Sequence, residues 1–146
     1  MNTRIELSEV GASAFEKLLG HNSAILENWN QLEVALFESS GLESELLEQV
    51  RRTLAYGNAC EYCMAKAGPP SFDARDQRIS LATAFAELFA LDHKSIVAAH
   101  FSALKEVFDT REISALCAFI SFLTASQRFG RVMNLTSDLQ KVTPQV

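Results

Sequence analysis

The sequence predicts an all-α protein folded as a compact helical bundle, and three observations carry that expectation. Proline occurs only three times in 146 residues, so little in the chain interrupts a helix. No valine- or threonine-rich run alternates with the period of two that marks a strand. Apolar residues recur instead at steps of three and four, as one face of a helix requires; Ile25, Trp29, Leu32 and Leu36 do so, and Leu46, Leu47, Val50 and Leu54 do so again.

Taken in order, a short amphipathic segment at 12–19 ends at Gly20. A second helix starts at Asn22 or Ser23 and stops at Gly41. The third covers 43–56, with Gly57 suited to a left-handed helix end. Asn58 then caps a short fourth helix at 59–67, which Gly68-Pro69-Pro70 halts. Asp73 with Asp76 forms a capping arrangement for a fifth helix reaching about Leu91. A sixth begins at Asp92 or Ser95 and ends near Phe108. Asp109 with Glu112 reads as a capping box that opens a long last helix to Met133, and the polar tail from Thr136 is expected to be loose. Two stretches, 79–91 and 113–123, are apolar over more than one stripe, so part of that surface is expected to be buried between subunits.

The length fits one domain spanning 1–146, and 48% hydrophobic residues argue against disorder. A formal net charge of -5, with no clustered basic face, argues against nucleic-acid binding. Residues 1–10 are polar and lack the apolar segment of a secretory signal. The most apolar stretch, 113–125, is too short to span a bilayer, so no membrane partner is expected and a cytoplasmic location is.

In that compartment structural disulfides are rare, so Cys60-Glu61-Tyr62-Cys63 points to redox chemistry or metal binding. Zinc needs four ligands, and no second Cys-x-x-Cys or nearby Cys/His pair supplies them, so no metal and no cofactor are expected. A thioredoxin fold lacks its strands here. A chance pair of buried cysteines is the plain alternative. Spaced by two on a helix, the sulfurs share one side. With Cys60 in the first turn, free amide hydrogens and the helix dipole would favour a thiolate, lowering a thiol pKa of ~8.5 into the range ~3.5–7.5. Cys117, in the apolar stretch, is expected to be inert packing.

The run Leu46-Leu47-Glu48-Gln49-Val50-Arg51-Arg52 followed by Asn58-Ala59-Cys60-Glu61-Tyr62-Cys63-Met64-Ala65 resembles the core motif of the carboxymuconolactone decarboxylase and alkyl hydroperoxidase D-like family. Phe108-Asp109-Thr110-Arg111-Glu112-Ile113, with Arg128-Phe129-Gly130-Arg131 further on, is similar to that family's last helices, so the likeness covers about 32–133. It implies an all-α fold assembled into trimers or hexamers. It also implies reduction of a hydroperoxide, or recycling of a peroxiredoxin by a thiol donor. Position by position, it makes Glu48 a proton-relay carboxylate, Cys63 the attacking thiol and Cys60 the resolving one. The helix-dipole argument favours Cys60 as the more acidic thiol, and the two assignments stand side by side.

One departure matters. The family motif carries a histidine four residues after the second cysteine, where this chain has Ala67. A histidine there would share a face with Cys63 and could take its proton. If helices three and four pack antiparallel, Glu48 reaches the same depth as position 67. Without the histidine, peroxide turnover is expected to be weakened unless Lys66, His93 or His100 substitutes, and Tyr62 is a candidate hydrogen-bond donor near the sulfurs. His93 and His100 are expected on one face of the sixth helix. Two other readings remain: lactone decarboxylation, as in the family's name-giving members, and an oligomeric redox-sensing protein without efficient catalysis.

Overall fold

The computed structural model describes residues 2–140, and among them the fold is all-α. Seven helices form in order: α1 (Ala14–Leu19), α2 (Ser23–Glu38), α3 (Ser44–Gly57), α4 (Glu61–Ala67), α5 (Gln77–Asp92), α6 (Ala98–Leu104) and α7 (Thr110–Val132). Short 3-10 turns follow α5, at His93–Ser95, and α7, at Ser137–Gln140.

The core is built where α3, α5 and α7 meet. Leu46, Leu47, Val50 and Leu54 of α3 are at most 1% exposed, as their spacing predicts. From α7, Leu116, Phe119 and Ile120 are fully buried against them, each stabilising the fold by about 1.5–3 kcal/mol. Phe37 meets the Phe119 ring edge-on at 5.0 Å, which fastens α2 to the same cluster.

Local chemistry sets most helix ends. Asp109 accepts from the Glu112 N–H at 2.8 Å, and Glu112 returns a bond to the Asp109 N–H, so the expected capping box opens α7. Asp76 caps α5 by accepting from the Ile79 N–H at 3.0 Å. Asp73 takes no part in that cap and pairs with Arg75 at 2.9 Å instead. Arg78, the second residue of α5, pairs with Glu43 and Glu112 and lies 4.5 Å over the Phe108 ring, tying together the starts of α3, α5 and α7.

Four expectations change. Gly57 is the last residue of α3, not a left-handed terminator; its bare α-carbon lets α5 approach, since a Cβ there would stand 2.8 Å from the Ala90 Cβ. The left-handed residue is Ala59, with φ +51. The face of α2 is rotated: Leu26 and Leu36 are buried, while Ile25 and Leu32 are half exposed. The sixth helix is only seven residues long, so His93 lies in the 3-10 turn and His100 in α6, not on one helix. The tail is ordered as far as Gln140, whose Nε2 donates to the Tyr62 carbonyl at 3.1 Å, and Leu135 is 2% exposed. Residues 141–146 of that tail lie outside the described residues.

The two apolar helices part company. In α7 the excess is internal, with Ile113, Leu116, Phe119, Ile120, Phe122 and Leu123 all buried within this chain. In α5 the inner positions are buried but Ala84 and Leu91 face solvent. No helix among the described residues is long and apolar enough to cross a membrane.

This packing makes a testable contrast. Phe119→Ala should lower the unfolding free energy by about 3–5 kcal/mol, whereas Ile25→Ala on the exposed face of α2 should change it by less than about 0.5 kcal/mol. Urea denaturation followed by far-ultraviolet circular dichroism separates the two.

A candidate redox site at a cysteine-capped helix

The chain turns from α3 into α4 over three residues. Asn58 ends α3, its N–H donating to the Leu54 carbonyl at 2.8 Å. Ala59 reverses the backbone in the left-handed region, and Cys60 is the N-cap of α4. The expected cap, Asn58, is displaced from that role by Cys60 itself. The Cys63 N–H donates to Cys60 Sγ at 3.2 Å, a bond that favours negative charge on that sulfur when it is free.

Cys60 and Cys63 are joined by a disulfide, with their α-carbons 5.1 Å apart. The sulfurs are not equivalent. Cys60 is fully buried, in a small cluster with Ala14, Leu18, Tyr62 and Leu135 that is separate from the main core. Cys63 is only half-buried and lines a cleft of about 110 Å³. Phe15 and Trp29 form one wall of that cleft, and Tyr62, Lys66 and Arg51 contribute polar groups to its lining. Trp29 is fixed there: its Nε1–H donates to Ser126 Oγ at 3.1 Å, and its ring lies 5.4 Å from Phe122 and 6.3 Å from Phe129.

Helix α7 grips the turn from behind. Asn58 Nδ2 donates to Gln127 Oε1 at 2.9 Å, and Gln127 Nε2 donates to the Arg51 carbonyl at 3.3 Å. Arg128 Nε donates to Asn58 Oδ1 at 3.1 Å. Asn58 and Gln127 are 7% and 4% exposed, so their amides rely on each other for hydrogen bonding. Gly130 faces the disulfide; a Cβ there would stand 3.1 Å from Cys60 Sγ, too close for any larger residue without displacement.

Of the residues singled out from sequence, Cys63, Tyr62 and Lys66 come together on the cleft, with Cys60 sealed beneath. Glu48 does not line it. Its carboxylate accepts two bonds from Arg51, at 2.6 and 2.9 Å, and one from Arg52 at 3.0 Å. Burial raises the Glu48 pKa, but the two guanidinium groups outweigh it and hold the carboxyl below its ordinary value. Arg51 connects Glu48 to the cleft, and it is a permanent cation that cannot relay a proton. Arg52 also reaches the Pro69 carbonyl at 3.4 Å, so Glu48 and the end of α4 do lie at similar depth. Ala67 is buried there without any ionisable group.

Neither candidate histidine joins the site. His100 Nδ1 accepts from the Val97 N–H at 2.9 Å and lines a groove between α5 and α6. His93 packs near the Phe89 ring at 6.4 Å. Burial pushes the Cys117 thiol pKa up, which keeps it in the unreactive form. No group of three or more histidines, cysteines or carboxylates that could hold a metal occurs among the described residues.

With that geometry in view, the comparison with known proteins is informative at the level of fold. No family model matches the sequence, and no curated protein matches it. A solved structure does. An uncharacterized peroxidase-related protein from Silicibacter sp. TM1040 superposes with a TM-score of 0.73, covering 83% of this chain and 74% of that one. Sequence identity is 18%, so the likeness establishes a shared all-α fold.

Sequence reasoning misses Gln127 and reads Asn58 only as a helix cap; the two stand 69 positions apart and no local pattern joins them. Phe15 and Trp29 likewise reach the cleft only through the packing of α1 and α2.

The Glu48 cluster gives a prediction with a defined sign. Its carboxyl pKa is depressed in the folded chain, so its contribution is present above the unfolded value of about 4.3 and is lost as pH falls through the lower folded value. Glu48→Gln should therefore cost about 1 kcal/mol at pH 7, and the difference from wild type should vanish toward pH 3. Urea titrations at pH 3, 5 and 7 measure it.

Proposed function

We propose that this chain is a thiol–disulfide oxidoreductase of the alkyl hydroperoxidase D-like kind, reducing hydroperoxides through Cys60 and Cys63. One observation carries the reading: the bonded pair sits with Cys63 on an open cleft and Cys60 sealed behind it. The peroxidase-related name of the Silicibacter structure supports it.

The arrangement divides the chemistry. In the dithiol state, the Cys63 thiolate attacks one peroxide oxygen. The O–O bond breaks, the alcohol leaves with a proton, and Cys63 becomes a sulfenic acid. Cys60 Sγ then attacks Cys63 Sγ and expels water, so two electrons have passed from the thiols to the peroxide. An external donor thiol opens the pair by attacking the accessible Cys63 sulfur, with Cys60 leaving as a thiolate that the Cys63 N–H steadies; a second donor thiol then attacks the donor sulfur of this mixed disulfide, releasing Cys63 and leaving the donor as its disulfide. Tyr62 and Lys66 border the reacting sulfur, and Lys66 lowers the cost of its negative charge.

A second reading is favoured by a specific observation, the state of the expected Glu48 relay. Glu48 is held ionised by two arginines, and Ala67 stands at the relay position. A site so built oxidises stoichiometrically and turns over slowly, as a redox sensor would. Lactone decarboxylation draws no comparable support, because no histidine lines the cleft.

Peroxide added to fully reduced protein should remove two thiols per chain and leave Cys117 free, as counted with a thiol reagent. Cys63→Ser should abolish the loss, and Cys60→Ser should stop at a trapped sulfenic acid visible by mass. Thiol loss that survives Cys63→Ser would end the proposal. Ala67→His, read in protein that keeps its helical signal, should raise turnover about 100-fold or more if the missing base limits the rate. An unchanged rate favours neither a handicapped peroxidase nor a relay through Glu48.

A further inference from the structure

The sulfur that has no exposed surface is covered by the segment that follows α7. There the backbone reverses at Asn134, in the left-handed region with φ +58, and the turn Ser137–Gln140 packs on α4. Leu135 belongs to the same buried cluster as Cys60, and Leu139 packs against that cluster from outside. A Cβ on Gly130 would stand 3.1 Å from Cys60 Sγ and 3.7 Å from Leu135 Cδ1, so sulfur and leucine converge on one point of α7.

The two ends of this segment are held differently. Its root is fastened through the backbone: the Arg4 N–H donates to the Met133 carbonyl at 3.0 Å, and the Leu135 N–H donates to the Gly130 carbonyl at 3.0 Å. Asn134 Nδ2 adds a bond to the Asn2 carbonyl at 2.8 Å. Its far end grips α4 through side chains, with Leu139 against the Cys60 cluster and Gln140 Nε2 donating to the Tyr62 carbonyl at 3.1 Å. Leu139 and Gln140 are both only half-buried.

The wall over Cys60 is apolar, with Ala14, Leu18 and Leu135 in it. A disulfide is neutral and suits such a wall. When a reductant attacks Cys63 Sγ and the S–S bond breaks, the electron pair stays on Cys60 Sγ, which is a thiolate until it takes a proton. Apolar burial disfavours that charge, and the Cys63 N–H meets only part of it. Water can supply the rest once Leu139 moves aside. We propose that Thr136–Gln140 is a redox-coupled strap, hinged at Leu135, which lies firmly on α4 over the disulfide and loosens over the dithiol. Such coupling is reciprocal: if opening the bond loosens the strap, weakening the strap must favour opening the bond. The inference rests on the thiol–disulfide reading only in that the bond must open. A chemical reductant opens it with no peroxide present, so either can fail without the other.

Hydrogen exchange read by mass spectrometry, on the oxidised protein and after dithiothreitol, tests it. Dithiothreitol gives the pair two electrons and two protons and leaves as its cyclic disulfide. Amide exchange over 136–140 should then speed about tenfold or more, while 46–54 in the α3 core stay protected. Cys63→Ser, in which the bond cannot form, should show the loose strap with or without reductant. Leu139→Ala combined with Gln140→Ala should make the pair about tenfold easier to reduce in a dithiothreitol redox buffer, a potential higher by ~30 mV. Ile25→Ala, on the exposed face of α2, should leave that equilibrium unchanged. Equal exchange over 136–140 in the oxidised protein and in Cys63→Ser overturns the proposal. So does a loss of protection shared by 46–54, or a double variant whose reduction equilibrium matches wild type.

Discussion

The site depends on the buried amide pair between Asn58 and Gln127. Cys60 follows Asn58 by two residues, across a left-handed alanine that gains nothing from its own conformation. Something must hold that turn, and the hydrogen bond from Asn58 Nδ2 to Gln127 Oε1 does so from the C-terminal part of α7. The same helix supplies Gly130 against the Cys60 sulfur and Arg128 against Asn58 Oδ1. Since α7 is also the centre of the main core, the position of two sulfurs is referred directly to the most rigid part of the chain. Removing one amide would leave Asn58 Nδ2 or Gln127 Oε1 buried without that bond, which costs more than the bond itself contributes.

The electrostatics beside the cleft follow from one substitution of roles. A carboxylate at Glu48 with no neighbouring base needs another partner to remain charged in a half-buried place. Arg51 and Arg52 provide it from one turn along the same helix, at i+3 and i+4. The result is a stable ion cluster beside the cleft, which strengthens the fold at neutral pH.

Much of this was legible from the sequence, for local reasons. The Asp109–Glu112 box, the α3 stripe and the paired cysteines at the start of α4 are each decided within a few residues, so periodicity and capping chemistry suffice. The errors have physical causes too. Gly57 looked like a helix terminator because glycine tolerates positive φ, yet here it is needed for the approach of Ala90, which no local pattern reveals. The face of α2 was misplaced because Ile25, Trp29, Leu32 and Leu36 fit a helical stripe as well as the true one does, and tertiary packing chose Leu26. The ordered tail escaped notice because it consists of polar residues around Leu135 and Leu139, held by a docking surface that α4 and α7 create only after folding.

The unequal burial of the sulfurs bears on a question that spacing left open. Accessibility favours Cys63 as the atom that meets a substrate, because Cys60 has no exposed surface. Hydrogen bonding favours Cys60 as the sulfur that bears negative charge, since it accepts the Cys63 N–H at the helix start. These preferences conflict only if one cysteine must serve both half-reactions. Under the proposed cycle they do not: the accessible sulfur is attacked or attacks at each encounter, and the shielded one is the better leaving group when a donor thiol opens the bond. The Cys63 N–H steadies that leaving sulfur, and its burial keeps it from reacting with anything except its neighbour. The capped turn thus assigns the two roles by geometry, even though both cysteines belong to the same short motif.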